Sequence, residues 1–186
     1  MEQSLVLSRS RLSLRAIAVV LGVALVTLAA QFSVPLPGTP VPMTLQPLAV
    51  LLVGGLLGPR LGTLSMISYL ALGALGLPVF TPTVPLVGVA RLMGPTGGYL
   101  LAYPIAAYAV GALAGNGTRT AKVALAVLTG LVLIHLGGLA QLWILTGDAP
   151  TAARVATVPF LVGDLIKFSV AVLVLRRAIA PLRARL

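Results

Sequence analysis

The chain has 186 residues, of which 59% are hydrophobic and only 9% charged, with a formal net charge of +10. Soluble domains average about 45–50% apolar and about 25% charged residues, so the outside of this protein is expected to face lipid rather than water. No cysteine is present, which excludes disulfides and thiolate metal sites.

A bilayer-spanning helix needs about 20 mostly apolar residues. Six segments approach that length: Leu14 to Val34, Met43 to Leu57, Leu61 to Leu77, Thr96 to Ala114, Val123 to Leu145 and Val155 to Leu175. They predict an all-α, multi-pass membrane bundle, a single domain over residues 1–186. The first run is longer than a signal-peptide core and has no clear cleavage site, so it reads as a retained span. The second and third are short and separated only by Gly58-Pro59-Arg60, as two short spans at a tight turn or a re-entrant pair would be.

The basic residues sit at the edges of these runs. A nucleic-acid groove needs them clustered on one soluble face among aromatic residues, so no nucleic-acid partner is expected. With the N-terminus in the cytoplasm, Arg9, Arg11, Arg15, Arg60, Arg119, Lys122, Arg176, Arg177, Arg183 and Arg185 lie inside, and Arg91 and Arg154 outside. That asymmetry places both termini in the cytoplasm and favours six full crossings. The outer connections differ in character: Pro35 to Pro47 carries five prolines and no charge, and Pro78 to Pro95 carries only Arg91. Proline fixes its own φ and restricts its predecessor, so both loops should be stiff and suited to covering a pocket.

Only three acidic residues occur, and Asp164 stands apart because it lies within the sixth apolar run. Lys167 follows three positions later, on the same helical face. At ~1.5 Å rise per residue, Lys167 sits about 13 Å and Asp164 about 18 Å beyond Arg176, in the middle to outer part of the membrane. Ionisable groups at that depth cost about 2.5–3.5 kcal/mol to insert and usually mark sites. Gly94-Pro95-Thr96-Gly97-Gly98-Tyr99 opens the fourth run; free N–H groups at a helix start suit an anion, and Arg91 upstream adds positive charge. The same glycines also suit close packing, and spacing does not decide between the two. Thr44 and Gln46, beside the first proline-rich loop, are placed to meet a ligand or cap the second helix. His135, the single histidine, has no acidic neighbour in sequence and reads as a structural hydrogen-bonding residue. Trp143 reads as an interfacial anchor, and Tyr69, Tyr103 and Tyr108 as packing residues. No G-x-x-x-x-G-K-[S/T] loop is present, so ATP phosphates are not held by that device.

Pro35 to Gln46, Leu56 to Gly62, Gly76 to Phe80, Gly94 to Tyr99 and Gly163 to Lys167, taken in order, resemble the BioY proteins. These are biotin-specific S components of energy-coupling factor transporters. The resemblance implies a six-helix S-component fold and high-affinity biotin capture and uptake across the bacterial inner membrane. It further implies docking onto a transmembrane coupling protein (the T component) and paired ATPase subunits, with no ATPase and no cofactor of this chain's own. On it, Asp164 and Lys167 help bind the ligand and the Gly94, Thr96, Gly97, Gly98, Tyr99 stretch lines the pocket, joined by Arg91, Gln46 and Thr44. The family's more glycine-rich loop is replaced here by Thr81-Pro82-Thr83-Val84-Pro85. Ala18 and Gly22 on the first helix fit either a docking face or packing inside the bundle. The alternatives are an S component for a different vitamin and an intramembrane enzyme using Asp164 and Lys167 as acid and base.

Overall fold

The computed structural model describes residues 2–185, and side chains from residue 12 onward. In chain order the elements are α1 (Glu2–Gln31), β1 (Ser33–Val34), β2 (Met43–Thr44), α2 (Gln46–Ala74), α3 (Val89–Met93), α4 (Gly97–Leu113), α5 (Thr120–Thr146), α6 (Ala149–Ala156), a 3-10 turn (Val158–Phe160) and α7 (Leu161–Arg183).

Helix α2 is not straight. Gly58 takes φ 81° and ψ 177°, a backbone conformation open to glycine, and Pro59 follows it. The second arm folds back on the first: a Cβ at Gly62 would stand 2.9 Å from Gly54 Cα. In a continuous helix those positions lie about 12 Å apart. The two short runs are therefore an antiparallel pair, and six helical segments cross the bundle. The long apolar helices α1, α2, α5 and α7 have the length and composition to cross a membrane, with α4 a shorter apolar helix beside them.

Arg183 holds the break. Pro59 has no N–H, so the Gly55 carbonyl loses its normal helical partner. Arg183 Nε and Nη2 donate to that oxygen at 3.1 and 2.6 Å. The same guanidinium donates to the carbonyls of Gly115 and Gly111, both at 3.0 Å, at the end of α4. One cation thus satisfies unpaired carbonyls of two helices where their dipoles are negative.

At the opposite end, β1 and β2 pair antiparallel with Ser33 facing Thr44 and Val34 facing Met43. The first proline-rich connection is therefore a short hairpin. Its tip is tied to α6 by Thr39 Oγ1, which donates to the Val155 carbonyl at 2.9 Å. The Met43 sulfur lies where a Gly163 side chain would begin, so the hairpin rests on the first turn of α7. The last apolar run also differs from the continuous span Val155 to Leu175. Pro159 interrupts it, so α6 and a 3-10 turn precede α7. Asp148 starts α6 by accepting the Thr151 N–H at 3.0 Å.

The distribution of polarity is that of a protein dissolved in lipid. Leu21 and Leu28 on α1, Leu125 and Leu136 on α5 and Leu165 and Ile166 on α7 are exposed, whereas Arg91, Gln46, Asp164 and Lys167 are buried. Ala18 and Gly22 belong to the packed interior, since a Cβ on Gly22 would meet Ser65 and Val53 of α2. Of the two readings for that stripe, packing is the one its geometry shows.

Candidate functional site

Pro159 determines where α7 begins, which puts Asp164 in its first turn and Lys167 one turn further along the same face. Lys167 Nζ donates to Asp164 Oδ1 at 3.0 Å. Asp164 also benefits from the positive end of the α7 dipole. Its other oxygen, Oδ2, lies 2.6 Å from His135 Nε2 of α5. The imidazole is anchored on its far side by Nδ1, which lies 3.2 Å from the Ala156 carbonyl. Tyr99 of α4 donates to that same carbonyl at 2.6 Å. The last residue of α6 thus ties together α4 and α5 beside Asp164.

Across from this cluster stands Arg91 on α3, in the connection outside the spanning segments. It is 1% exposed. Nη1 donates to the Val84 carbonyl at 2.6 Å and Nη2 to the Thr81 carbonyl at 3.1 Å, so Arg91 pins the loop that departs from the glycine-rich form. Burial draws its pKa below the ordinary arginine value, an effect that Tyr69 and Tyr103 oppose. Among the described residues, Arg91 Nε has no hydrogen-bond partner, and neither does the buried hydroxyl of Thr96. Buried donors are nearly always satisfied, and both residues line one cavity, where a guest group or an ordered water would complete them.

That space is a cavity under the hairpin, walled by Val41, Leu100, Leu131, Ile134 and Phe160 and carrying polar groups at separated points. Thr44, Gln46, Arg91, Thr96, Tyr99, Asp164 and Lys167 all line it, as do His135 and Thr81. Gln46 is fixed by donating from Nε2 to the Tyr69 hydroxyl at 2.6 Å, and that hydroxyl donates to the Val79 carbonyl at 3.0 Å. Thr44 Oγ1 donates to Gln46 Oε1 at 3.3 Å. Both outer loops therefore supply wall residues. Arg91 and Lys167 against Asp164 leave one positive charge in excess, before any proton on His135.

The three glycines of the fourth run are placed otherwise. A side chain on Gly97 would strike the Leu92 carbonyl, on Gly98 the Gly137 carbonyl, and on Gly94 the Leu86 side chain. They let α3, α4 and α5 approach closely, outside the cavity wall, and the Gly97 N–H is already bonded to the Gly94 carbonyl at 2.9 Å. His135, read from sequence as a structural hydrogen-bonding residue, does make such bonds, but the sequence did not show that Asp164 is one of its partners. Its acidic partner lies 29 positions away on another helix, and no local pattern announces it.

His135, Asp164 and Leu131 also border a second space, an apolar groove between α5 and α7 lined by Leu128, Leu136, Leu161 and Phe168. The His135–Asp164 pair therefore lies between the cavity that carries the polar groups and an apolar groove on the outside of the bundle.

Comparison with known proteins agrees with this architecture along almost the whole chain. The model of the BioY family matches residues 2–184. A probable biotin transporter BioY of Pyrococcus horikoshii is 42% identical over 160 residues, 86% of this chain and 92% of that protein. The biotin transporter BioY of Thermotoga maritima is 40% identical over 154 residues, 83% and 89% of the two chains. Among solved structures, the S component for biotin from an ECF-type ABC transporter superposes with a TM-score of 0.77 at 28% identity, covering 91% of this chain and 90% of that one.

Proposed function

Because the chain belongs to the BioY family, we propose that it captures biotin from outside the cell and carries it across the membrane as the substrate-binding S component of an ECF-type transporter. The observation that carries this reading is the placing of unsatisfied donors and charges around one largely apolar cavity. Biotin has an apolar bicycle and chain, a ureido group with two N–H donors and a carbonyl, and one carboxylate. Asp164, held by Lys167 and His135, offers lone pairs to the ureido N–H groups, while Lys167 donates to an oxygen. The excess of positive charge left by Arg91 and Lys167 over Asp164 favours a carboxylate. Arg91 Nε and the Thr96 hydroxyl are the donors left for it. Charge-assisted bonds of this kind are about twice as strong as neutral ones.

In this shape the cavity holds only about 50 Å³, against about 300–1,000 Å³ for common ligand pockets. Admission of a bicyclic guest therefore needs the walls to part. The hairpin and the Pro78 to Pro95 loop are the movable walls, because they lack the continuous backbone bonding of the helices. Capture then proceeds by opening at the hairpin end, exchange of water for the bicycle, and closure over the ureido contacts.

The reading places both termini in the cytoplasm and the chain, as one domain, in the bacterial inner membrane. Concentrative uptake needs ATP hydrolysis from elsewhere, so a T component and paired ATPase subunits are the expected partners. No resident cofactor is needed for this task.

Calorimetric titration of the purified protein with biotin, dethiobiotin and a panel of other vitamins tests the function. Submicromolar binding selective for biotin is expected, with chemically unchanged biotin recovered afterwards. Selective binding of another vitamin would point to the different-vitamin alternative, and chemical alteration of the recovered ligand would point to the enzyme.

A further inference from the structure

The contacts of His135 set a proton count. Nε2 faces Asp164 Oδ2 at 2.6 Å and Nδ1 faces the Ala156 carbonyl at 3.2 Å. A carbonyl and an ionised carboxylate only accept, and a neutral imidazole has only one N–H. Two acceptors therefore face a ring that has one donor when neutral. The arrangement is satisfied when one more proton is present. Either the imidazolium donates to both oxygens, or the Asp164 carboxyl donates to Nε2 while Nδ1–H donates to Ala156. Without that proton, a ring lone pair points at an oxygen lone pair.

We propose that His135 is a positioning residue that shares one exchangeable proton with Asp164, so that biotin is held more tightly when the proton is present. The proton keeps the ring anchored to Ala156 and thereby keeps the Asp164 carboxylate aimed into the cavity. This inference rests on the biotin-binding reading and adds a protonation step to it.

The surrounding charges determine the direction. From α7, His135 meets Asp164, with Lys167 behind it bonded to the same carboxylate. From α4 it meets Tyr99, at a ring-centroid separation of 6.1 Å, with Tyr103 further along the same wall. Arg91 faces the cavity from α3, and the 3-10 turn contributes the Phe160 ring at 6.1 Å, which does not titrate. An arriving carboxylate adds a negative charge to the same space and tips the balance towards holding the proton. By linkage, the affinity for an anionic ligand then falls as pH rises through the loss of that proton. The ligand's carboxylate stays ionised throughout the range used below.

The test is biotin titration of the whole protein between about pH 6 and pH 8.5, repeated with His135→Gln, where a neutral amide can donate to Asp164 and does not titrate over this range. Wild type should bind about 10-fold more weakly at the upper end, and the variant should show a flat profile with weaker binding at the lower end. Biotin methyl ester, lacking the negative charge, should show a shallower slope with wild type. If the variant does not fold, the wild-type heats in two buffers of different ionisation enthalpy report proton uptake directly, and a fraction of one proton taken up per biotin is expected at the upper pH. A flat wild-type profile, an unchanged slope in His135→Gln, or no proton uptake overturns the inference while biotin binding stands. Absence of biotin binding at every pH overturns the underlying function, and the inference with it.

Discussion

His135 Nε2 and Asp164 Oδ2, on helices α5 and α7, lie 2.6 Å apart while Lys167 holds the other carboxylate oxygen at 3.0 Å. The carboxylate is thus fixed from two sides at the edge of the cavity. A group buried at that depth and gripped in this way is costly to disturb, which makes its substitution informative.

Asp164→Asn keeps the shape but removes the charge that compensates Lys167. The ureido N–H groups lose a charged acceptor, a contact worth about 1.5–3 kcal/mol, so biotin affinity should fall by at least about 10-fold. Calorimetry in detergent reads the affinity, and membrane insertion should be retained. Wild-type affinity in Asp164→Asn would remove the residue from the site.

Thr96→Val replaces a buried, unpartnered hydroxyl with an isosteric methyl. Thermal stability should not fall, because no protein hydrogen bond is lost. Biotin affinity should drop by about 1.5–3 kcal/mol, the value of one hydrogen bond to a charged acceptor. Biotin amide, without the carboxylate, should lose less between the two proteins.

Gly98→Ala separates packing from ligand contact. The added methyl would collide with the Gly137 carbonyl and the Gln141 side chain, forcing α4 and α5 apart. Overpacking of this kind costs about 1–3 kcal/mol, so the unfolding temperature should fall clearly. The reverse pattern, normal stability with lost affinity, would return Gly98 to the cavity wall.

Arg183→Met strips donors from the carbonyls of Gly55, Gly111 and Gly115. Gly55 and Gly111 are buried, and each buried acceptor left bare costs about 1–3 kcal/mol, so destabilisation of about 2 kcal/mol is expected. Biotin affinity in the protein that remains folded should change little, because Arg183 is at the far end of the bundle from the cavity. Thermal unfolding and calorimetry on the same sample separate the two effects.

Much of the fold was legible because membrane helices are specified by composition and length. The break at Gly58-Pro59 was visible too, since those two residues combine a positive φ with a missing donor. Less visible was the hairpin Ser33–Thr44, whose two short strands lie beside a proline-rich turn that masks any alternation. The start of α7 was also displaced, because apolar content continues smoothly through Pro159 although the helix does not. Within the site, Asp164 and Lys167 stood out as charges in an apolar run. Gly94, Gly97 and Gly98 carried a signal shared by ligand approach and helix packing, and the Leu86 side chain and the Leu92 and Gly137 carbonyls crowd the places their side chains would take. His135 needed the third dimension, because its meaning lies in the partner on α7.

A structure of the protein crystallised with biotin addresses the account most directly. The ligand should lie beneath the hairpin, its ureido group within hydrogen-bond distance of Asp164 and Lys167 and its carboxylate on Arg91 Nε and the Thr96 hydroxyl. Biotin bound elsewhere, or seated there with those two donors still unpaired and Asp164 untouched, would contradict it.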